Sequence, residues 1–334
     1  MVATMSREDM RVMKRLFALC AMFFVAGLSP APAQEAFPNR PIGIVIPSTP
    51  GSNMELQMRL ISDVVQRKGG QPFVVDPKPG AMGVLGASTV FRARPDGYTL
   101  LISPNSPLVF NQLTHANLGY DPVAFAPVAM VSSQPLVMAT RGDFPAASMK
   151  EFIDYARAHP DKINYGSQGI GGGNHMAVLL LEKQSGTHMV HVPFNGAEPA
   201  TQALLKGEID LFMAPLANIL PWNREGKLKM FAIGSEKRSP DAPDVPTFRE
   251  LGYPEDFVLT VWYAIVAPPG TPAPIVDWLN RAIVGAMREP AITERFRAMG
   301  TDPETRSPAE TARFLARERD LWARVAAENH IEKQ

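Results

Sequence analysis

From residue 42 to residue 266, short β-branched runs alternate with stretches whose apolar residues recur at helical spacing. The strand candidates are Ile42–Ile46, Phe73–Val75, Tyr98–Ile102, Val128–Val131, Leu136–Thr140, Ile163–Tyr165, Met189–Val192, Ile209–Met213, Met230–Ile233 and Val258–Val266. This βα order predicts parallel sheets with helices on both faces. Beyond Pro268 the pattern changes. Pro274–Met287, Pro290–Met299 and Pro308–Asn329 read as helices with no strand between them, so a terminal helical cluster should fold back over an existing sheet. No repeat period stands out. Ser148 with Glu151, and Ser307 with Glu310 and Pro308 at the first helical position, read as capping boxes that open two of the helices.

The first unit has the clearest consequence. The run Ile42–Ile46 ends in the turn Pro47-Ser48-Thr49-Pro50-Gly51-Ser52-Asn53, and Leu56, Leu60, Ile61, Val64 and Val65 then mark one apolar helix face. A strand, a tight polar loop and a helix N-terminus aim backbone N–H groups and the positive end of a helix dipole at one point, which suits an anion. Three more loops rich in Gly, Ser or Asn follow strands: Ser103–Ser106, Gly166–Asn174 and Phe194–Gly196. Ligands of open α/β sheets bind beyond the carboxyl ends of strands, so the four loops could line one cleft between two facing α/β lobes.

The 334 residues are 46% hydrophobic and 20% charged, enough for a packed core in one large or two modest domains. The formal net charge is zero, which leaves no basic footprint for nucleic acid. The N-terminus reads as a secretion signal. Arg11, Lys14 and Arg15 precede an apolar run from Leu16 to Leu28, and Ala31-Pro32-Ala33 is a small-x-small cleavage site. The apolar run is too short for a membrane span of about 20 residues. The one cysteine, Cys20, lies inside this segment, so the exported chain carries no disulfide. Its net charge is about −2, because residues 1–33 take away four basic and two acidic residues.

Familiar catalytic patterns are missing. Gly166–His175 lacks G-x-G-x-x-G phasing, since Asn174 stands where glycine is required, and it is not a Walker loop. A nest of backbone amides and hydroxyls for a carboxylate survives as its reading. Gly80, Gly83 and Gly86 are explained by tight helix entry. His188 and His191, three apart on a strand, point to opposite faces, and no H-E-x-x-H or second cysteine supports a metal. No G-x-S-x-G elbow supplies a nucleophile. An enzyme would have to use His175 as a base beside Ser167, with no orienting acid evident. The expectation from these residues is no catalytic residue, no metal and no cofactor.

Taken together, the motifs resemble the exported solute receptors of tripartite tricarboxylate transporters, the Bug or TctC-like proteins. The resemblance runs from about residue 37 to 330. It rests on Phe37-Pro38-Asn39-Arg40-Pro41-Ile42, Pro79-Gly80-Ala81-Met82-Gly83, Pro95-Asp96-Gly97-Tyr98-Thr99-Leu100, Tyr120-Asp121-Pro122, Met189-Val190-His191-Val192-Pro193-Phe194, Gly226-Lys227-Leu228, Lys237-Arg238-Ser239-Pro240 and Pro243-Asp244-Val245-Pro246-Thr247, all in the same order.

The resemblance implies a two-lobed Venus-flytrap receptor of type II periplasmic-binding-protein topology. Residues 34–134 and 258–334 would form the first lobe, residues 135–257 the second, with crossings near 130–138 and 255–266. The late helices would pack on the first lobe. Ligand positions carried over are Ser48, Pro50, Gly51, Ser52, Asn53 and Glu55 on the first loop, Ser103 and Asn105 on the next, and Ser167, Gln168, Gly173, His175, Asn195 and Gly196 on the second lobe. The chain departs from the family at Ser48, where an aromatic is usual. It also departs at Pro50-Gly51-Ser52, at Met54-Glu55, at Asn195 in place of a basic residue and at Ala214-Pro215 in place of an acid. Without that acid a ligand ammonium has no partner. The expected ligand is a small organic carboxylate with no cationic group, aromatic or otherwise less polar. The expected partners are that ligand and the membrane subunits of a transporter of the same type; the receptor itself should be a periplasmic monomer. An orphan receptor feeding a sensor is the alternative.

Overall fold

The computed structural model describes residues 37–194, 196–254, 257–329 and 333. The expected signal segment and its cleavage site, and Asn195, lie outside the described residues. In chain order the elements are β1 (Ile42–Ile46), α1 (Asn53–Arg67), β2 (Phe73–Pro77), α2 (Val84–Phe91), β3 (Thr99–Ser103), α3 (Asn111–Thr114), β4 (Ala126–Arg141), α4 (Met149–Ala158), β5 (Asn164–Ser167), α5 (Gly173–Ser185) and β6 (Val190–Pro193). There follow α6 (Ala197–Lys206), β7 (Leu211–Pro215), α7 (Leu216–Arg224), β8 (Leu228–Ile233), β9 (Thr260–Ala267), α8 (Ala273–Met287), α9 (Pro290–Ala298), β10 (Asp302–Pro303) and α10 (Pro308–Glu328).

The strands lie in the order β2-β1-β3-β9-β4-β7-β5-β6, with β8 and β10 each added to β4. β1 runs parallel to β2 and β3, as the βα alternation requires, and Ile42, Ile44 and Ile46 are fully buried. β5 is likewise parallel to β6 and β7. The sheet is not parallel throughout: β9 is antiparallel to β3 and β4, and β4 is antiparallel to β7, β8 and β10. The reason is the path of β4. Where the sequence shows two strands separated by a polar Ser132-Ser133-Gln134-Pro135, the structure has one strand of 16 residues. It pairs with β9 from Ala126 to Pro135 and with β7 and β8 from Leu136 onward. The polar residues stay in the ladder because their side chains find partners. Ser132 Oγ donates to Gln57 Oε1 at 2.8 Å and Ser133 Oγ to Glu304 Oε1 at 2.9 Å. Hydrogen bonds of this kind offset the cost of taking a hydroxyl out of water.

β4 thus divides the strands into two sets, β1–β3, β9 and β10 before its midpoint and β5–β8 after it. At the midpoint three segments meet in a ring of backbone hydrogen bonds. Leu136 N–H donates to Leu259 O, Leu259 N–H to Gly234 O, and Gly234 N–H to Leu136 O, each at 2.8 Å.

The late helices follow the expected bounds closely. Ser307 and Glu310 form the full reciprocal capping box of α10. At α4 only half of it forms: Ser148 caps Glu151 N–H, but the Glu151 carboxylate reaches Ala147 N–H instead of the capping residue. α10 also touches both strand sets. Trp322 packs edge-on against Phe110 at 5.3 Å between ring centres, and Glu328 pairs with Lys183 of α5. The helical cluster therefore reaches further than the first set. No helix among the described residues is long and apolar enough to cross a membrane.

Candidate functional site

The first loop is built by the N-terminus of α1. Ser52 caps it, its hydroxyl accepting from Glu55 N–H at 3.4 Å and from Ser48 Oγ at 2.7 Å. Glu55, expected to face a ligand, is only 8% exposed and turns back on its own loop. Its Oε2 accepts Gly51 N–H at 2.8 Å, and its Oε1 accepts Arg59 Nε and Nη2 at 2.9 and 2.6 Å. The Gly51 amide first, and the Arg59 guanidinium second, hold the carboxyl below its ordinary range. One of the donors an anion would use is thus taken by the chain's own carboxylate. Pro50, Gly51 and Asn53 remain exposed at the turn, and Ser48 is half-buried.

The second loop is largely structural. Ser103 is fully buried and its hydroxyl donates to Pro104 O at 3.0 Å. The Asn105 amide bridges β9, donating to Thr260 O and accepting from Trp262 N–H, both at 3.2 Å. Gly83 ties this loop to the first. A Cβ on it would sit 2.6 Å from Pro107 and 3.1 Å from Pro47, while one on Gly86 would lie 3.2 Å from Pro47. Close approach to the neighbouring prolines explains both glycines.

The loop from Ser167 to His175 holds a cluster of polar side chains. Tyr165 and His191 are directly paired across β5 and β6. The rings of Tyr165, His191 and His175 stack, with His191 5.0 Å from Tyr165 and 4.0 Å from His175. Ser167 Oγ donates to Gly169 O at 3.0 Å, accepts Gly169 N–H at 3.1 Å and lies 2.6 Å from His191 Nε2. His175, at the start of α5, accepts Gly171 N–H on Nδ1 at 3.0 Å, which leaves the proton of the neutral ring on Nε2. Burial first, and the neighbouring His191 second, push His175 down to about 4. Burial lowers His191 as well. Both rings are therefore neutral at neutral pH, and His175 carries its proton on Nε2.

This loop faces the elements after β3. A Cβ on Gly171 would lie 2.3 Å from Thr114, one on Gly173 3.4 Å from the Phe110 ring, and one on Gly172 3.8 Å from the Met82 methyl. Ser167 and His175 thus share a loop and a seam with the 82–114 segment, with Gln168 half-buried beside them. Gly196, with φ of 121°, precedes α6. The residues missed from sequence are Tyr165 and His191. Their strand pairing and alternation are the available signal: His191 lies in β6 opposite Tyr165, whereas His188 lies outside the strand. Among the described residues no group of three or more His, Cys, Asp or Glu could hold a metal.

A cavity of about 780 Å³ opens elsewhere, between α10 and the midpoint of β4 and β9. None of the expected site residues lines it. Two of its carboxylates are already paired: Glu304 with Ser133 and Arg306, and Glu318 with the indoles of Trp262 and Trp322.

The family profile described as "Tripartite tricarboxylate transporter family receptor" matches residues 57–330. Protein BugT of Bordetella pertussis is 34% identical over 319 residues, covering 95% of this chain and 98% of that protein. Among solved structures, Rpa4515 of R. palustris with adipate is similar, with TM-score 0.77 and 29% identity over 89% of this chain and all of that one. MatC of Rhodopseudomonas palustris with bound malate gives TM-score 0.73 and 34% identity over 87% of this chain and all of that one. The α/β architecture, the glycine-rich loops and these matches agree, and the chain belongs to the receptor family of the tripartite tricarboxylate transporters.

Proposed function

We propose that the protein captures a small organic carboxylate between two lobes by hinge closure and delivers it to a membrane transporter of the tripartite tricarboxylate type. In this reading residues 34–134 and 258–334 form one lobe and residues 135–257 the other. The signal segment is removed after Ala33, and the receptor acts as a periplasmic monomer.

The observation that carries the reading is the state of His175. Its Nδ1 is occupied by Gly171 N–H and its ring is kept neutral, so Nε2–H is a fixed donor at the N-terminus of α5. A donor at that end of a helix favours an anion without competing for its proton. The bound adipate and malate of the two similar structures support a carboxylate as ligand. Ala214 and Pro215 at the end of β7 offer no acid to an ammonium group, which supports an acid without one.

Catalysis is the weaker reading. Ser167 is fully buried, and its hydroxyl is already engaged by Gly169 O, Gly169 N–H and His191 Nε2.

A thermal-shift screen of mono-, di- and tricarboxylates and aromatic acids tests the proposal. A ligand at 100 times its dissociation constant should stabilise the protein by about 2.7 kcal/mol, and small-angle scattering should show compaction. No shift with any acid, or turnover of a bound acid, overturns it.

A further inference from the structure

The turn at residues 80–83 holds two side-chain-bearing residues in a strained backbone conformation. Ala81 and Met82 both adopt left-handed backbone, with φ of 46° and 49°, a region side-chain-bearing residues rarely occupy. Gly80 and Gly83 on either side take positive φ freely, and a glycine at 82 would do the same. Met82 is not there to fill a core, since it is 38% exposed.

The turn is held from beneath. Asn111 Nδ2 donates to Met82 O at 3.1 Å. Gly83 packs under Pro47, which opens the first loop, and Pro107, which follows the second. From this anchorage the Met82 methyl reaches to 3.8 Å from where a Cβ of Gly172 would stand, on the loop that carries Ser167 and His175. The thioether therefore sits at the seam where three candidate binding loops come together.

We infer that Met82 is a specificity-determining residue: its thioether walls one side of the acid-binding seam and packs on the hydrocarbon part of the bound carboxylate. An unbranched, polarizable side chain adapts to such a surface better than a rigid one. The receptor then favours an acid with an apolar extension over a short one. The inference rests on the reading of the chain as a carboxylate receptor.

The test is calorimetric titration of the full chain with linear dicarboxylates from malonate to suberate and with benzoate, using the wild type, Met82→Gly and Met82→Leu. Met82→Gly should melt within about 2 °C of the wild type. It should lose roughly tenfold in affinity for the longest acid bound relative to the shortest, while Met82→Leu keeps the wild-type preference. An unchanged preference in Met82→Gly, or an equal loss for every acid, overturns the inference and leaves the carboxylate reading standing. A Met82→Gly protein that melts more than about 5 °C lower assigns the residue to packing and also overturns it. A wild type that binds none of the acids defeats the carboxylate reading itself, and the inference with it.

Discussion

Gly234 and Leu259 pass each other in backbone contact: a methyl group placed on Gly234 would lie 2.6 Å from both the Cβ and the carbonyl oxygen of Leu259, whose N–H donates to Gly234 O. The two residues sit in the segments that join the strand sets beside the midpoint of β4. The ring of three hydrogen bonds with Leu136 closes only if both segments approach this closely. Gly234→Ala should therefore cost about 1–3 kcal/mol through overpacking, read as a lower urea midpoint at unchanged slope. An alanine variant as stable as the wild type would mean that the segments separate freely.

The histidine stack makes stability depend on pH. His175 has a folded pKa of about 4 against an ordinary 6.5. Above about pH 6.5 it is neutral folded and unfolded and contributes nothing. As the pH falls from there toward 4, the unfolded chain takes up a proton that the folded one refuses, and stability drops by on the order of 3 kcal/mol. His191 acts with the same sign. His175→Asn, which keeps an acceptor for Gly171, should flatten the decline between pH 6.5 and 4 in thermal melts; a decline identical to the wild type would contradict this.

How far the sequence reveals the fold and the site depends on the distance over which each signal acts. β1 was legible to the residue because its β-branched run and the following turn are local signals. The single strand β4 was not, because Ser132 and Ser133 become compatible with a ladder only through Gln57 and Glu304, far away in sequence. The loops that follow β1, β3 and β5 could be read as candidate ligand loops from glycine, serine and asparagine content. How their side chains are spent could not: Glu55 folds back onto Gly51, and Asn105 is committed to β9. The partner of Ser167 is His191, brought in by the register of β5 on β6, whereas His175, closer in sequence, binds Gly171.

Ser167 and His191 should behave as one unit. Ser167→Ala leaves Gly169 N–H without its buried acceptor and His191 Nε2 without its partner and should cost about 1–3 kcal/mol. Combined with His191→Ala the losses should fall short of their sum, with a coupling of about 0.5–3 kcal/mol in a double-mutant cycle by urea unfolding. Strict additivity would show that the 2.6 Å contact contributes nothing.

Glu55 should act as the lock of the first loop. In Glu55→Ala, Gly51 N–H loses its acceptor and Arg59 its partner, so the Gly51 amide should exchange faster by hydrogen-exchange NMR while the amides in the middle of α1 are unaffected. In the wild type this protection should persist below the ordinary carboxyl pKa of 4.5, because Gly51 and Arg59 hold Glu55 ionised. Equal Gly51 exchange in both proteins would remove the lock.

The most direct measurement is an NMR titration of the full chain, with ¹⁵N-labelled histidine, by adipate, malate and benzoate. A saturable shift of the His175 Nε2 resonance, with most of the affinity lost in His175→Asn, is the expected result. Saturable acid binding that leaves the His175 ring unperturbed, or no binding of any acid, would contradict the account.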